Sequence, residues 1–154
     1  RNHKKVALFV DMDGTIVEYR VFPENFITTE TKKVFLNAEP LEVILKNLEK
    51  INEIDNLDVY ILSLARSFII VEEKKQWLKK YAPFIREENY ILLNKENGDY
   101  NAENREFIKS IKMMEKLNEY DYVILLDDDH KILKRTLNEV GKNGEVFHVS
   151  SATM

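Results

Sequence analysis

The apolar run Val6–Val10 ends abruptly in Asp11-Met12-Asp13-Gly14-Thr15, and this junction constrains the chain more than any other stretch. Five consecutive apolar residues bounded by a turn signal read as a strand buried on both faces. Alternate residues of an extended segment point the same way, so Asp11 and Asp13 can converge on one small volume where the strand gives way to a loop. Two close carboxylates repel, and a divalent cation that prefers oxygen ligands, Mg²⁺ above all, removes that penalty. Gly14 lets the backbone turn sharply and approach a phosphate, and Thr15 offers a hydroxyl and an N–H to phosphate oxygens. Such a string points to phosphoryl transfer. The simpler account, an acidic turn after a buried strand, would explain Asp13-Gly14 alone but not the whole string.

Strand and helix patterns then alternate along the chain. Val6–Val10, Leu57–Leu62, Tyr90–Leu93, Val123–Leu126 and Val146–Val149 read as strands. Leu41–Asn52, Val71–Tyr81, Arg105–Leu117 and Lys131–Val140 carry helical periodicity, with Asn104 a cap for the third and Gly141 closing the fourth. In the second, Trp77 and Leu78 face inward and the Lys-Lys pairs outward. Repeated β-α-β units predict a three-layer, Rossmann-like α/β fold with a mainly parallel sheet. Ligands of such sheets bind at the carboxyl ends of the strands. Three polar signals fall there: Asp11 with Asp13, then Ser63, then Asp127 with Asp128. One site assembled from three strands explains that coincidence.

Length and composition fit this reading. The 154 residues suffice for one domain, 1–154, with residues 16–40, punctuated by Pro23 and Pro40, as a small flap that also holds a short helix from Thr31 to Asn37. The chain has no cysteine, which excludes disulfides, thiolate metal sites and a cysteine nucleophile and agrees with a reducing cytoplasm. A net charge of −4 argues against coating nucleic acid, and no apolar run approaches a membrane span of roughly 20 residues.

Taken in order, these motifs resemble those of the haloacid dehalogenase (HAD) superfamily of aspartate-dependent phosphohydrolases. Asp11-Met12-Asp13-Gly14-Thr15 matches its first motif, Val59-Tyr60-Ile61-Leu62-Ser63 its second, and Ile124-Leu125-Leu126-Asp127-Asp128 its fourth. Tyr60–Ser63, Glu73-Lys74-Lys75-Gln76-Trp77-Leu78 and Leu125–Asp129 are similar to the 5′-nucleotidase (deoxyribonucleotidase-related) branch. The resemblance implies an Mg²⁺-dependent phosphomonoester hydrolase. Asp11 would form an aspartyl-phosphate, and Asp13 would protonate the leaving oxygen and then activate water. The Asp11 carboxylate, the Asp13 carbonyl and the Asp128 carboxylate would ligate Mg²⁺, with Asp127 fixing the site and Ser63 donating to a phosphate oxygen. Asp129 would cap the next helix, and His130 would stay on the rim.

The third motif of the family is a lysine that neutralises the nucleophile. Aligning on Glu106-Phe107-Ile108 puts Arg105 there, with Lys109 and Lys95 as rivals. All three could equally be solvated charges. Only about 47 residues separate Thr15 from Ser63, too few for a core helix and a cap domain of about 50 residues. The cap is therefore minimal and the site open, unless a second copy of the chain closes it. Tyr19, Arg20, Phe22 and Phe26 of the flap are candidates for stacking on or pairing with a substrate, or for packing the flap on the core. The expected substrate is small and phosphorylated, a nucleoside 5′-monophosphate first. The alternatives are a sugar phosphate, a phosphorylated nucleic-acid end, or a non-catalytic scaffold that binds phosphate or a partner.

Overall fold

In the computed structural model, residues 4–18 and 35–153 are described. The elements run β1 (Val6–Val10), α1 (Glu42–Ile51), β2 (Leu57–Ala65), α2 (Phe68–Tyr81), β3 (Tyr90–Asn94), α3 (Ile108–Glu115), β4 (Tyr122–Asp127), α4 (His130–Val140) and β5 (Gly144–His148). All five strands are parallel, in the order β3-β2-β1-β4-β5. The α/β architecture with a parallel sheet is the one the sequence pattern predicts.

Side-chain alternation divides the core into two layers. Leu8 and Val10 of β1 pack with Val59 and Ile61 of β2 beneath Leu45 and Leu48 of α1 and Trp77 and Leu78 of α2. Ala7 and Phe9 point the other way, to join Tyr60, Leu62, Ile108, Met113, Ile132 and Leu133 under α3 and α4. A strand buried on both faces has no polar side to show, which is why β1 is a continuous apolar run.

The order of the strands positions the site. From β1 the chain moves outward through β2 to β3, then crosses back to β4 on the other flank of β1. The sheet therefore changes direction between β1 and β4, and a crevice opens at the carboxyl ends of that pair. Asp11 follows β1 and its N–H still donates to the Leu126 carbonyl of β4 at 3.0 Å. Asp127, the last residue of β4, is its neighbour across the crevice.

Three elements depart from the sequence reading by three residues, and β5 lies over Gly144–His148 rather than Val146–Val149. β2 extends to Ala65, so Ser63 lies within the strand, paired with Leu92 of β3, rather than at its end. α2 starts three residues early, at Phe68, because the Ser67 side chain accepts the Ile70 N–H and caps it. α3 starts three residues late, at Ile108 rather than Arg105. Asn101 and Asn104 accept each other's backbone N–H through their side chains, holding residues 101–104 in a turn that competes with helix. The short helix expected over Thr31–Asn37 falls largely outside the described residues, and Phe35–Asn37 form a turn. Tyr19, Arg20, Phe22 and Phe26 also lie outside them.

Candidate active site

Past β1 the backbone closes into a tight loop. The Met12 carbonyl accepts the N–H groups of Thr15, Ile16 and Val17, each at 3.0 Å, and Gly14 donates to the Val17 carbonyl at 2.8 Å. Gly14 sits at φ +77°, where a side chain is strained. A Cβ on Gly14 would stand 2.8 Å from the Asp128 carboxyl carbon. Glycine is thus required twice, by conformation and by the approach of Asp128. Gly14→Ala should cost about 1–3 kcal/mol of stability and displace Asp128, a loss read together by urea denaturation and Mg²⁺ titration.

Asp11, Asp127 and Asp128 bring carboxylate oxygens within 4.8 Å of one another. The cation among them is Lys109, whose Nζ lies 2.9 Å from Asp11 Oδ1 and 2.7 Å from Asp127 Oδ2. It is 2% exposed. Burial opposes the Lys109 charge, yet Asp11 and Asp127 overcome that and hold its pKa above the usual lysine range. Both Asp127 oxygens are engaged, Oδ2 by Lys109 and Oδ1 by the N–H groups of Asp128 and Asp129 at 2.8 and 3.1 Å. Burial, then the Asp11 charge, push the Asp127 carboxyl up against the pull of Lys109. Burial, then Asp11, also push the Asp128 carboxyl up, to about 7. One ammonium shared by two carboxylates thus leaves the third uncompensated.

Asp13, expected to converge with Asp11, lies outside this cluster and pairs with a different lysine. Its side chain is 48% exposed and its Oδ2 lies 3.1 Å from Lys74 Nζ. Lys74 also donates to Ser63 Oγ at 2.8 Å and to the Leu64 carbonyl at 2.7 Å. Ser63 is fully buried, and so is Thr15, whose hydroxyl approaches Asp11 Oδ2 at 3.5 Å. Asp129 caps α4 as expected, accepting the N–H groups of Lys131 and Ile132 at 2.9 and 3.2 Å.

The fold supports a likeness to solved structures. The chain superposes on the HAD domain of effector protein Lem4 from Legionella pneumophila with a TM-score of 0.55 and 14% identity, over 96% of this chain and 86% of that one. An inactive mutant of the same domain superposes with a TM-score of 0.58 at 12% identity, over 94% and 85%. The fold is HAD-like. No protein-family model and no curated protein sequence matches the chain.

The basic residue expected beside Asp11 differs from the one the structure places there. Arg105 is exposed in the turn before α3, near the Tyr100 hydroxyl, and makes no ion pair with the carboxylates among the described residues. Lys95 is likewise exposed. Lys109 is the cation that reaches Asp11. The misplacement follows from the late start of α3, which makes Lys109, not Arg105, the first inward-facing basic residue. Lys74 is a second correction, since the sequence reading turned the Lys-Lys pairs of α2 outward. A signal for it existed: Lys74, Trp77, Leu78 and Tyr81 fall at i, i+3, i+4 and i+7, so the lysine lies on the apolar stripe of its own helix.

Proposed function

We propose that the protein is an Mg²⁺-dependent phosphomonoester hydrolase that works through an aspartyl-phosphate on Asp11. The observation that carries this reading is the division of labour between Asp11 and Asp13. Asp11 is buried with one oxygen on Lys109, whereas Asp13, two residues later, is half exposed and free of the triad. One carboxylate is held as a nucleophile and the other stands where protons exchange.

The donor set fits Mg²⁺. All its ligand atoms are oxygens, and Asp128 carries the charge that the fold leaves uncompensated. The Asp11 and Asp128 carboxylates and the Asp13 carbonyl would hold the ion, with Asp127 committed to Lys109 and the backbone. When bound, it screens the phosphoryl oxygens from the nucleophile and stabilises their charge in the transition state.

The chemistry of the chain itself runs in two steps. An Asp11 oxygen forms a bond to phosphorus as the ester P–O bond breaks, and Asp13 gives its proton to the departing oxygen. Asp13 then takes a proton from a water that attacks phosphorus, and the P–O bond to Asp11 breaks to release inorganic phosphate. Lys109 holds Asp11 in the tether that both steps need. The Ser63 hydroxyl supplies a donor to the phosphoryl oxygens, whereas the N–H groups of Gly14, Thr15, Ile16 and Val17 stay within the loop.

A nucleoside 5′-monophosphate is the first substrate to try, on the likeness of Tyr60–Ser63 and Glu73–Leu78 to nucleotidase strings. The test is a panel of ribo- and deoxyribonucleoside monophosphates, sugar phosphates and phosphorylated oligonucleotide ends. The expected result is turnover of at least one monoester, abolished by EDTA and restored by Mg²⁺. Mg²⁺ at about 100 times its Kd should also stabilise the fold by about 2.7 kcal/mol in denaturant titrations. Mg²⁺ binding with no turnover across the panel would leave a phosphate-binding scaffold in place of an enzyme.

A further inference from the structure

Lys74 is buried to 1% exposure on α2, and its partners are residues that the proposed chemistry uses. An ammonium has three N–H donors. Lys74 spends them on Asp13 Oδ2, Ser63 Oγ and the Leu64 carbonyl, at 3.1, 2.8 and 2.7 Å. The Phe35 ring covers it, with Nζ 5.2 Å from the ring centroid. No donor is left for a substrate phosphate, so Lys74 is not a phosphate ligand in this arrangement.

Its effect on the two side chains is directional. Ser63 Oγ accepts from Lys74, so the proton of that hydroxyl points away from the ammonium, and Ser63 Oγ donates no hydrogen bond among the described residues. A phosphoryl oxygen brought against Ser63 is the acceptor this geometry leaves open. Asp13 has Oδ2 anchored on Lys74, which leaves Oδ1 for proton exchange with the leaving oxygen. We propose that Lys74 is a positioning residue: through one buried ammonium it aims the Ser63 proton at the phosphate and fixes the Asp13 carboxyl at the leaving group. This inference rests on the phosphohydrolase reading above and adds to it a residue that links two of its motifs.

Leaving groups of different quality separate this role from a structural one. A 2,4-dinitrophenolate departs without help from an acid, whereas an alkoxide needs the proton of a well-placed Asp13. Lys74→Met should therefore lower kcat/KM, which reports formation of the phosphoenzyme and not its hydrolysis, by about 100-fold for an alkyl or sugar phosphate and by less than about fivefold for 2,4-dinitrophenyl phosphate. The ratio of the two rates is measured in one sample, so it does not depend on the fraction of protein that folds. Lys74→Arg, which keeps the charge, should recover part of the alkyl rate. Asp13→Asn should show the same leaving-group pattern, and adding Lys74→Met to it should change the ratio by less than about twofold. A wild type that hydrolyses both substrates, with a rate ratio unchanged in Lys74→Met, would overturn the role of Lys74 and leave the phosphohydrolase standing. A wild type that hydrolyses neither substrate with Mg²⁺ removes both.

Discussion

Asp11→Asn should lower turnover of the preferred phosphate monoester by roughly 10⁴-fold or more while leaving the fold intact. The amide cannot form the phosphoenzyme, and neither of the other buried acids can replace it. Asp127 is bound through both oxygens to Lys109 and to the N–H groups of Asp128 and Asp129. The Asp128 carboxylate would be taken up by the divalent cation and is not free to attack phosphorus. The amide oxygen of the variant can still accept the Lys109 N–H that Asp11 Oδ1 accepts at 2.9 Å. Loss of one charge also relieves repulsion within the triad, so the thermal midpoint should hold or rise. Kinetics and a melting curve on the same preparation check both halves. A variant within tenfold of the wild-type rate would exclude Asp11 as the nucleophile.

Lys109→Met should have the largest effect on stability, a loss of about 3–5 kcal/mol. The methionine fits the space but leaves Asp11 and Asp127 as buried carboxylates with no counter-charge. For a chain of this size that corresponds to a thermal midpoint lower by roughly 10 °C. Divalent cation should offset part of the loss, because three unneutralised carboxylates attract it more strongly than the Lys109-neutralised set. Mg²⁺ should therefore raise the midpoint of Lys109→Met by more than it raises that of the wild type. Arg105→Ala is the control, expected within about 0.5 kcal/mol of wild type because its side chain is exposed and outside the cluster. If Arg105→Ala proved the more damaging variant, the assignment of Lys109 would fail.

The contrast between these two residues shows where sequence reasoning reaches its end. The burial of Asp11 at the end of β1 and the turn at Gly14 were legible because their signal is local, one strand and one turn, whereas Thr15, expected to face a phosphate, gives its N–H to the Met12 carbonyl and its hydroxyl to Asp11 Oδ2. Asp127 and Asp128 were legible for the same reason, at the end of a second apolar run. Lys109 stands 98 positions from Asp11 in the chain, and Lys74 stands 61 from Asp13. A buried lysine and a solvated one look alike until the carboxylate that receives each N–H is known. The start of α3 was missed because two asparagine side chains, Asn101 and Asn104, bind each other's backbone, a pairing that helical periodicity does not record.

Periodicity and local turn chemistry thus settled the parallel α/β architecture, the strand that carries Asp11 and the acids at two strand ends, because these follow from neighbours a few residues apart. Which lysine neutralises Asp11, which one holds Asp13 and Ser63, and which acid is left to a cation were decided only by folding. The order β3-β2-β1-β4-β5 places the ends of β1, β2 and β4 side by side, and helices α2 and α3 bring their lysines to those ends from opposite faces of the sheet. Charge compensation in a buried site depends on distances of about 3 Å, and those are set by packing rather than by spacing along the chain.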